Sequence, residues 1–183
     1  MSDQPVSDLA DSVSDADHKL GPSTAPVTLV EYGDYECPDC LNSQPIVRRL
    51  REHFGDRLRV VFRHFPKSSI HPRASAAAEA AEAAGAQGRF WEMHEALFNH
   101  QRELADLDLT HLALQIGLDV YKFHRDSEST VFPRRVRQHY EGALISGVTH
   151  TPTFFINGCR HKGSNDFDTL LAAIEKQLIM KDR

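Results

Sequence analysis

Cys37 and Cys40, separated by Pro38 and Asp39, are the residues of this chain best suited to chemistry. A pair about one helical turn apart is within reach of an intramolecular disulfide, and such a pair gives or takes two electrons by thiol–disulfide exchange. A Cys-x-x-Cys pair is also half of a zinc site. Zinc needs further ligands, and the remaining cysteine, Cys159, with His161 two positions on, offers a shorter spacing than zinc knuckles use. A purely structural disulfide across so short a loop would restrict the unfolded chain little. What precedes and follows the pair favours redox chemistry. An apolar run leads in and a helical pattern leads out, which is the setting of redox-active dithiols.

That setting defines what must hold the sulfurs. Residues 27–32 (Val-Thr-Leu-Val-Glu-Tyr) read as a buried strand. Pro38 suits the first helical position, where its missing N–H removes nothing the helix needs. Cys37 then stands near the N-cap, its sulfur facing the N–H groups of Asp39 and Cys40. Those donors and the positive helix end favour a thiolate, lowering the Cys37 pKa below the free value of about 8.5. The helix carries Ile46, Val47, Leu50 and Phe54 at core spacing and stops at Gly55, with Pro45 inside it as a kink. Residues 58–65 read as a second strand ended by Pro66, giving a strand–helix–strand unit with a parallel, right-handed crossover. A helical region follows over 71–147. In it, an alanine-dense helix, a stripe of Phe90, Met93, Leu97 and Phe98, and a face of Val136, Tyr140, Ala143 and Leu144 read as core. Strand character returns at 153–156. Asn157-Gly158 is a hairpin signal with 159–162 as the returning strand, and Phe167, Leu170, Leu171, Ile174 and Leu178 define a closing amphipathic helix.

Composition narrows the classes. A length of 183 residues fits one domain enlarged by an insertion. A net charge of −5 gives no case for nucleic-acid binding. No apolar run approaches the about 18 residues of a membrane helix. Residues 1–17 are rich in Ser and Asp and read as a disordered acidic tail, without the basic start and apolar stretch of a signal peptide. The expectation is a cytoplasmic protein whose cysteines are reduced or catalytic rather than structural.

The stretch Glu31-Tyr32-Gly33-Asp34-Tyr35-Glu36-Cys37-Pro38-Asp39-Cys40, then Arg63-His64-Phe65-Pro66, then the segment from Gly147 through Thr151-Pro152 to Asn157-Gly158 resemble the DsbA-like branch of the thioredoxin superfamily. The resemblance implies an α/β protein, a thioredoxin fold with an inserted helical domain. The implied division is a tail over 1–17, an N-terminal part of the thioredoxin fold over 18–70, the insertion over 71–147, and a C-terminal part over 148–183. It implies that Cys37 is the nucleophile and Cys40 the resolving thiol. It also implies that Glu31 is a buried acid beneath them; desolvation would raise its pKa and let it exchange protons with Cys40. The plainer reading of Glu31 is a surface strand residue, against which stand its apolar neighbours. Pro152 resembles the cis-proline of the family, which leaves the backbone of Thr151 to pair with an extended substrate peptide. An ordinary trans turn is the alternative.

This chain departs from the family at three places. Asp39, between the cysteines, disfavours a second negative charge and points to a less oxidising pair than that of the periplasmic oxidases. Acids in a first helical turn are also common for structural reasons alone. His150, beside Thr151-Pro152, is either a rim residue that contacts substrate or steadies a thiolate, or an exposed loop residue. Cys159 is either an unreactive thiol or a third redox participant open to glutathionylation.

The resulting expectation is a thiol–disulfide oxidoreductase acting on protein or low-molecular-weight disulfides. It needs no cofactor, no metal, no nucleic acid and no membrane, and works as a monomer with an electron-donor or acceptor partner such as a reductase or thiol pool. Two alternatives remain: a non-catalytic metal- or peptide-binding module on the same fold, and a glutathione-dependent transferase or isomerase relative.

Overall fold

The computed structural model describes residues 8–104, 108–127 and 129–181. Its strands are β1 (His18–Leu20), β2 (Val27–Gly33), β3 (Leu58–His64), β4 (Thr153–Ile156) and β5 (Cys159–Arg160). Its helices are α1 (Pro38–Phe54), α2 (Ala74–Gly85), α3 (Phe90–Asn99), α4 (Leu109–Gln115), α5 (Val120–Ser127), α6 (Val131–Ile145) and α7 (Phe167–Lys181). The strands form a single sheet in the order β1-β3-β2-β4-β5. The order of strands and the helices set between β3 and β4 are those of a thioredoxin fold with a helical insertion.

Two compact units divide the chain. The sheet unit comprises residues up to Gly33, Asn42–Arg63 and the chain from Gly142 on. On one face of its sheet, Val27, Leu29, Leu58, Val60, Phe154 and Ile156 pack with Val47, Leu50 and Phe54 of α1 and Leu170 and Ile174 of α7. Alternation along β2 puts Glu31 on that same face. The register is set by Glu31 opposite Phe154 and Tyr32 opposite Thr153, both antiparallel pairs. Asn157 and Gly158 both have positive φ, 48° and 84°, as a two-residue hairpin turn between β4 and β5 demands. The returning strand is only two residues long, shorter than the expected 159–162.

The helical unit comprises Asp34–Leu41 and His64–Glu141. Alanines at 74, 77, 78, 80, 81, 83 and 84 are buried along α2. Their small side chains let Phe90, Met93, Leu97 and Phe98 of α3 reach the interior of the unit. This unit starts earlier than the expected insertion and takes in the residues around the dithiol. The cause is hydrogen bonding, described below, from the chain after β3 to the loop before Cys37. Leu144, expected on the buried face of its helix, is 52% exposed.

The acidic tail expected over 1–17 is corrected for its second half; residues 1–7 lie outside the described residues. Asp8 and Leu9 donate their N–H groups to the carbonyl of Gly158, and Leu9 is buried. Strand β1, which the sequence pattern did not reveal, pairs antiparallel with β3, His18 opposite Phe62. The anchor is Arg63. Its Nε and Nη2 donate to the two oxygens of Asp17 at 2.8 and 3.0 Å, its Nη1 to the carbonyl of Asp11 and its Nη2 to that of Ser12. Asp17 and Arg63 side chains are both 4% exposed. Composition therefore misjudged the segment, because a buried guanidinium with five donors needs acceptors and 8–17 supplies them.

Arg63→Ala strands the Asp17 carboxylate in the interior and is expected to cost about 3–5 kcal/mol; chemical denaturation measures this, with faster hydrogen exchange over residues 8–20. At the other end of the sheet unit, Asp166 caps α7, accepting from the N–H and hydroxyl of Thr169. Hydrogen bonds from Ser164 and Thr169 hold its carboxyl at a pKa of about 2, below the usual 3.8. Its contribution to stability is therefore present above pH ~4 and is lost as the pH falls through about 2. Acid titration of Asp166→Asn against the parent is expected to show a flatter loss of stability in that window.

Candidate active site

Helix α1 begins at Pro38, with Cys37 as its cap: the Cys37 carbonyl accepts from the N–H groups of Cys40 and Leu41 at 3.1 and 3.2 Å. The N–H of Cys40, expected to face the Cys37 sulfur, donates to the Cys37 carbonyl. Cys37 keeps 7% of its surface and Cys40 none, so an incoming sulfur meets Cys37 first. Pro38 and Asp39 are exposed.

The loop leading to Cys37 is held by side chains from far along the chain. Asp34 is fully buried, and its carboxylate accepts three donors: the N–H of Glu36 at 2.8 Å, the N–H of Lys67 at 2.8 Å and Nδ1 of His71 at 2.7 Å. The N–H of Asp34 itself donates to Sγ of Cys40 at 3.4 Å. Gln101, in a 3-10 turn after α3, uses one Nε2 to donate to the carbonyls of Tyr35 and Cys37 at 2.8 and 2.9 Å. The carboxylate of Glu36 accepts from the N–H of Arg73. Tyr35 is buried with its hydroxyl 3.2 Å from Nδ1 of His94 and its ring against Phe98 and His64.

On the sheet unit, Glu31 is 2% exposed, which favours the buried reading over the surface one. Its Oε1 accepts from the hydroxyl of Ser43 at 2.9 Å and from Gln44 at 3.4 Å. Two donors and a closed surround keep this carboxyl fixed in place on β2. The Thr151–Pro152 peptide bond is cis and both residues are buried. Thr153 donates its hydroxyl to the carbonyl of His150 at 2.7 Å, and Asn165 donates to that of Pro152 at 3.2 Å. His150 is exposed and lies 3.3 Å from the hydroxyl of Thr149. Cys159, on edge strand β5, is half-buried at a cleft of about 300 Å³ that Arg160, Lys162 and Lys176 also line.

Among the described residues, the cluster whose spacing would admit a cation is His64, Glu82 and His139, and it includes no cysteine. Its groups are already engaged with one another. Glu82 meets His64 Nε2 at 3.0 Å and Arg135 at 2.8 Å, and Nδ1 of His139 accepts from the His64 N–H. An arginine on the one carboxylate supplies the positive charge a metal would bring, so the cluster reads as an internal ion-pair network of the helical unit.

The sequence reading named the cysteines, Glu31, His150, Thr151 and Pro152 but missed Asp34, His71, Gln101 and Asn165. Asp34 lay inside a motif that was noticed, yet nothing in its local pattern shows that its oxygens face a loop more than thirty residues on. Gln101 has no local signal, since a glutamine in a polar turn reads as an ordinary surface residue.

Residues 13–176 match the family model described as Thioredoxin. The Na(+)/H(+) antiporter NhaA 1 of Salinispora arenicola is 48% identical over 160 residues, 87% of this chain and 24% of that protein; the chain spans about a quarter of the length of the curated relatives it matches. Among solved structures, oxidised BdbD from Bacillus subtilis is 26% identical with a TM-score of 0.76, covering 88% of this chain and 92% of that one. DsbA2 of Pseudomonas aeruginosa is 26% identical with a TM-score of 0.74, covering 90% and 96%. The chain belongs to the thioredoxin superfamily and, within it, to the DsbA-like proteins, whose fold a helical insertion interrupts.

Proposed function

We propose that this protein is a thiol–disulfide oxidoreductase that exchanges disulfides with protein or small-thiol substrates through Cys37-Pro38-Asp39-Cys40. The observation that carries the reading is the unequal pair at the start of α1, one sulfur reachable and the other enclosed under a backbone N–H. In the reducing direction the Cys37 thiolate attacks a substrate disulfide, forming a Cys37–substrate disulfide and expelling one substrate thiolate. Cys40 then attacks Cys37 Sγ, forming the Cys37–Cys40 disulfide and expelling the second; two electrons pass to the substrate. The oxidising direction reverses each step. Glu31 takes the proton of Cys40 as it attacks and returns it when Cys40 leaves, and the backbone of Thr151 pairs with an extended substrate. A reductase or thiol pool resets the dithiol. Asp39 supports a less oxidising pair and, with it, a cytoplasmic setting.

The test is a redox titration in graded glutathione buffers, with thiols trapped and counted by mass spectrometry. Cys37→Ser is expected to abolish exchange and Cys40→Ser to accumulate a mixed disulfide. A potential below roughly −250 mV is expected for a cytoplasmic reductant; a value near that of the strong oxidants overturns the setting, and no exchange at all overturns the function. Glu31→Gln, which keeps the shape and the hydrogen bonds, is expected to slow turnover about 10²-fold, the lower range for a lost acid–base group. An unchanged rate removes Glu31 from the mechanism.

The identity with part of the antiporter proteins supports a second reading, about context: the domain serves redox chemistry beside an ion transporter. Sodium–proton exchange by the full Salinispora arenicola relative in vesicles is then expected to differ between oxidising and reducing buffers, and to lose that difference when the matching quarter is deleted. Exchange indifferent to the buffer defeats this reading.

A further inference from the structure

Resting on the thiol–disulfide reading, we propose that the main-chain N–H of Asp34 stabilises the Cys40 thiolate, and that His71, through the Asp34 carboxylate, positions that N–H. When a substrate thiolate attacks Cys37 Sγ of the Cys37–Cys40 disulfide, the bond to Cys40 breaks. Cys40 then departs with the electron pair as a thiolate, while the new sulfur–sulfur bond forms at Cys37. That negative charge develops on a residue with no exposed surface, where water cannot meet it and an uncompensated charge is costly. A donor placed to meet it, before Glu31 returns the proton, is the Asp34 N–H, 3.4 Å from Cys40 Sγ. A backbone donor aimed at a developing anion in a dry site does what the donors of an oxyanion hole do, provided it does not have to reorganise.

The rest of the geometry supplies that rigidity. An N–H direction is fixed when the residue carrying it cannot rotate, and the side chain of Asp34 is tied at both oxygens. Oδ1 holds Glu36 N–H within the loop; Oδ2 holds Lys67 N–H and His71 Nδ1 from the chain that follows β3. His71 is the one side chain among these three donors. It is 18% exposed against 0% for Asp34, so it can be changed without opening the interior or removing the two backbone donors. Gln101, gripping the carbonyls of Tyr35 and Cys37, holds the far end of the same loop.

Cys40 can be read alone in the full chain carrying Cys37→Ser and Cys159→Ser, by thiolate absorbance against pH. Adding His71→Ala is expected to lower the acidity constant of Cys40 about fivefold, part of the tenfold or more that a whole hydrogen bond to a charged group is worth. His71→Asn, whose amide N–H takes the position of the imidazole Nδ1 that meets the same carboxylate oxygen, is expected to restore most of the loss. With all cysteines present, attack of glutathione on the Cys37–Cys40 disulfide should slow in His71→Ala by a similar factor. A Cys40 titration unmoved by His71→Ala overturns the proposal. So does a His71→Asn that shifts as far as His71→Ala, because the imidazole charge and not the positioning would then be at work. The Cys40 titration needs no exchange activity, so absence of exchange in the unsubstituted protein would defeat the proposed function without deciding this one.

Discussion

A buried sulfur carries negative charge only where donors or positive charge are turned toward it, and the rest of the site is arranged around that constraint. The start of α1 offers the usual surplus of donors at a helix N-terminus, but Pro38 contributes none and the Cys40 N–H is turned to the Cys37 carbonyl. Cys37 stands at the helix N-terminus, where the helix dipole favours a thiolate. For Cys40 the donor comes from the other side, out of the loop that follows β2. The two sulfurs are thus stabilised by different means, one at the open end of a helix and one under a clamped loop. This difference matches a pair in which one member meets substrate and the other resolves.

That dependence explains how the chain divides. Residues 34–41 cohere with the helical unit although they lie between two pieces of the sheet unit, because Asp34, Tyr35, Glu36 and Cys37 are all bonded by groups beyond β3. Helix α1 continues past Leu41 into the sheet core through Val47, Leu50 and Phe54. One helix therefore presents its first turn to one set of constraints and its body to another. Pro45 lies on the exposed side of the helix, where its missing N–H takes one hydrogen bond from the helix without opening the core.

Strong local patterns were legible in the sequence and long-range polar contacts were not. Strand β2, helix α1, the Asn157-Gly158 turn and the closing helix announce themselves through apolar spacing or turn chemistry, and each forms where that chemistry places it. Strand β1 did not, since three residues with an i,i,i burial pattern carry no period to read. Residues 8–17 look disordered by composition and are held by Arg63, whose partners no local pattern in β3 reveals. Asp34 and His71 illustrate the same limit at the site. Each is a polar residue in a loop, and only the folded chain brings them to 2.7 Å. Hydrophobic periodicity is a local code; hydrogen-bond partners are chosen by topology.

The acidity of the active-site loop then takes on a different weight. Asp34, Glu36 and Asp39 place three carboxylates within six residues of two thiols, an arrangement that on charge alone would oppose any thiolate. Two of the three are already occupied: Asp34 by three donors and Glu36 by the Arg73 N–H. Those bonds fix the two side chains without cancelling their charge; Asp39 differs in its setting. It is exposed, where water and salt weaken its field over a Debye length of about 8–10 Å. The tuning expected from Asp39 is therefore a modest, salt-dependent adjustment. In the buried loop, Asp34 accepts hydrogen bonds through its carboxylate and turns its backbone N–H toward the Cys40 sulfur.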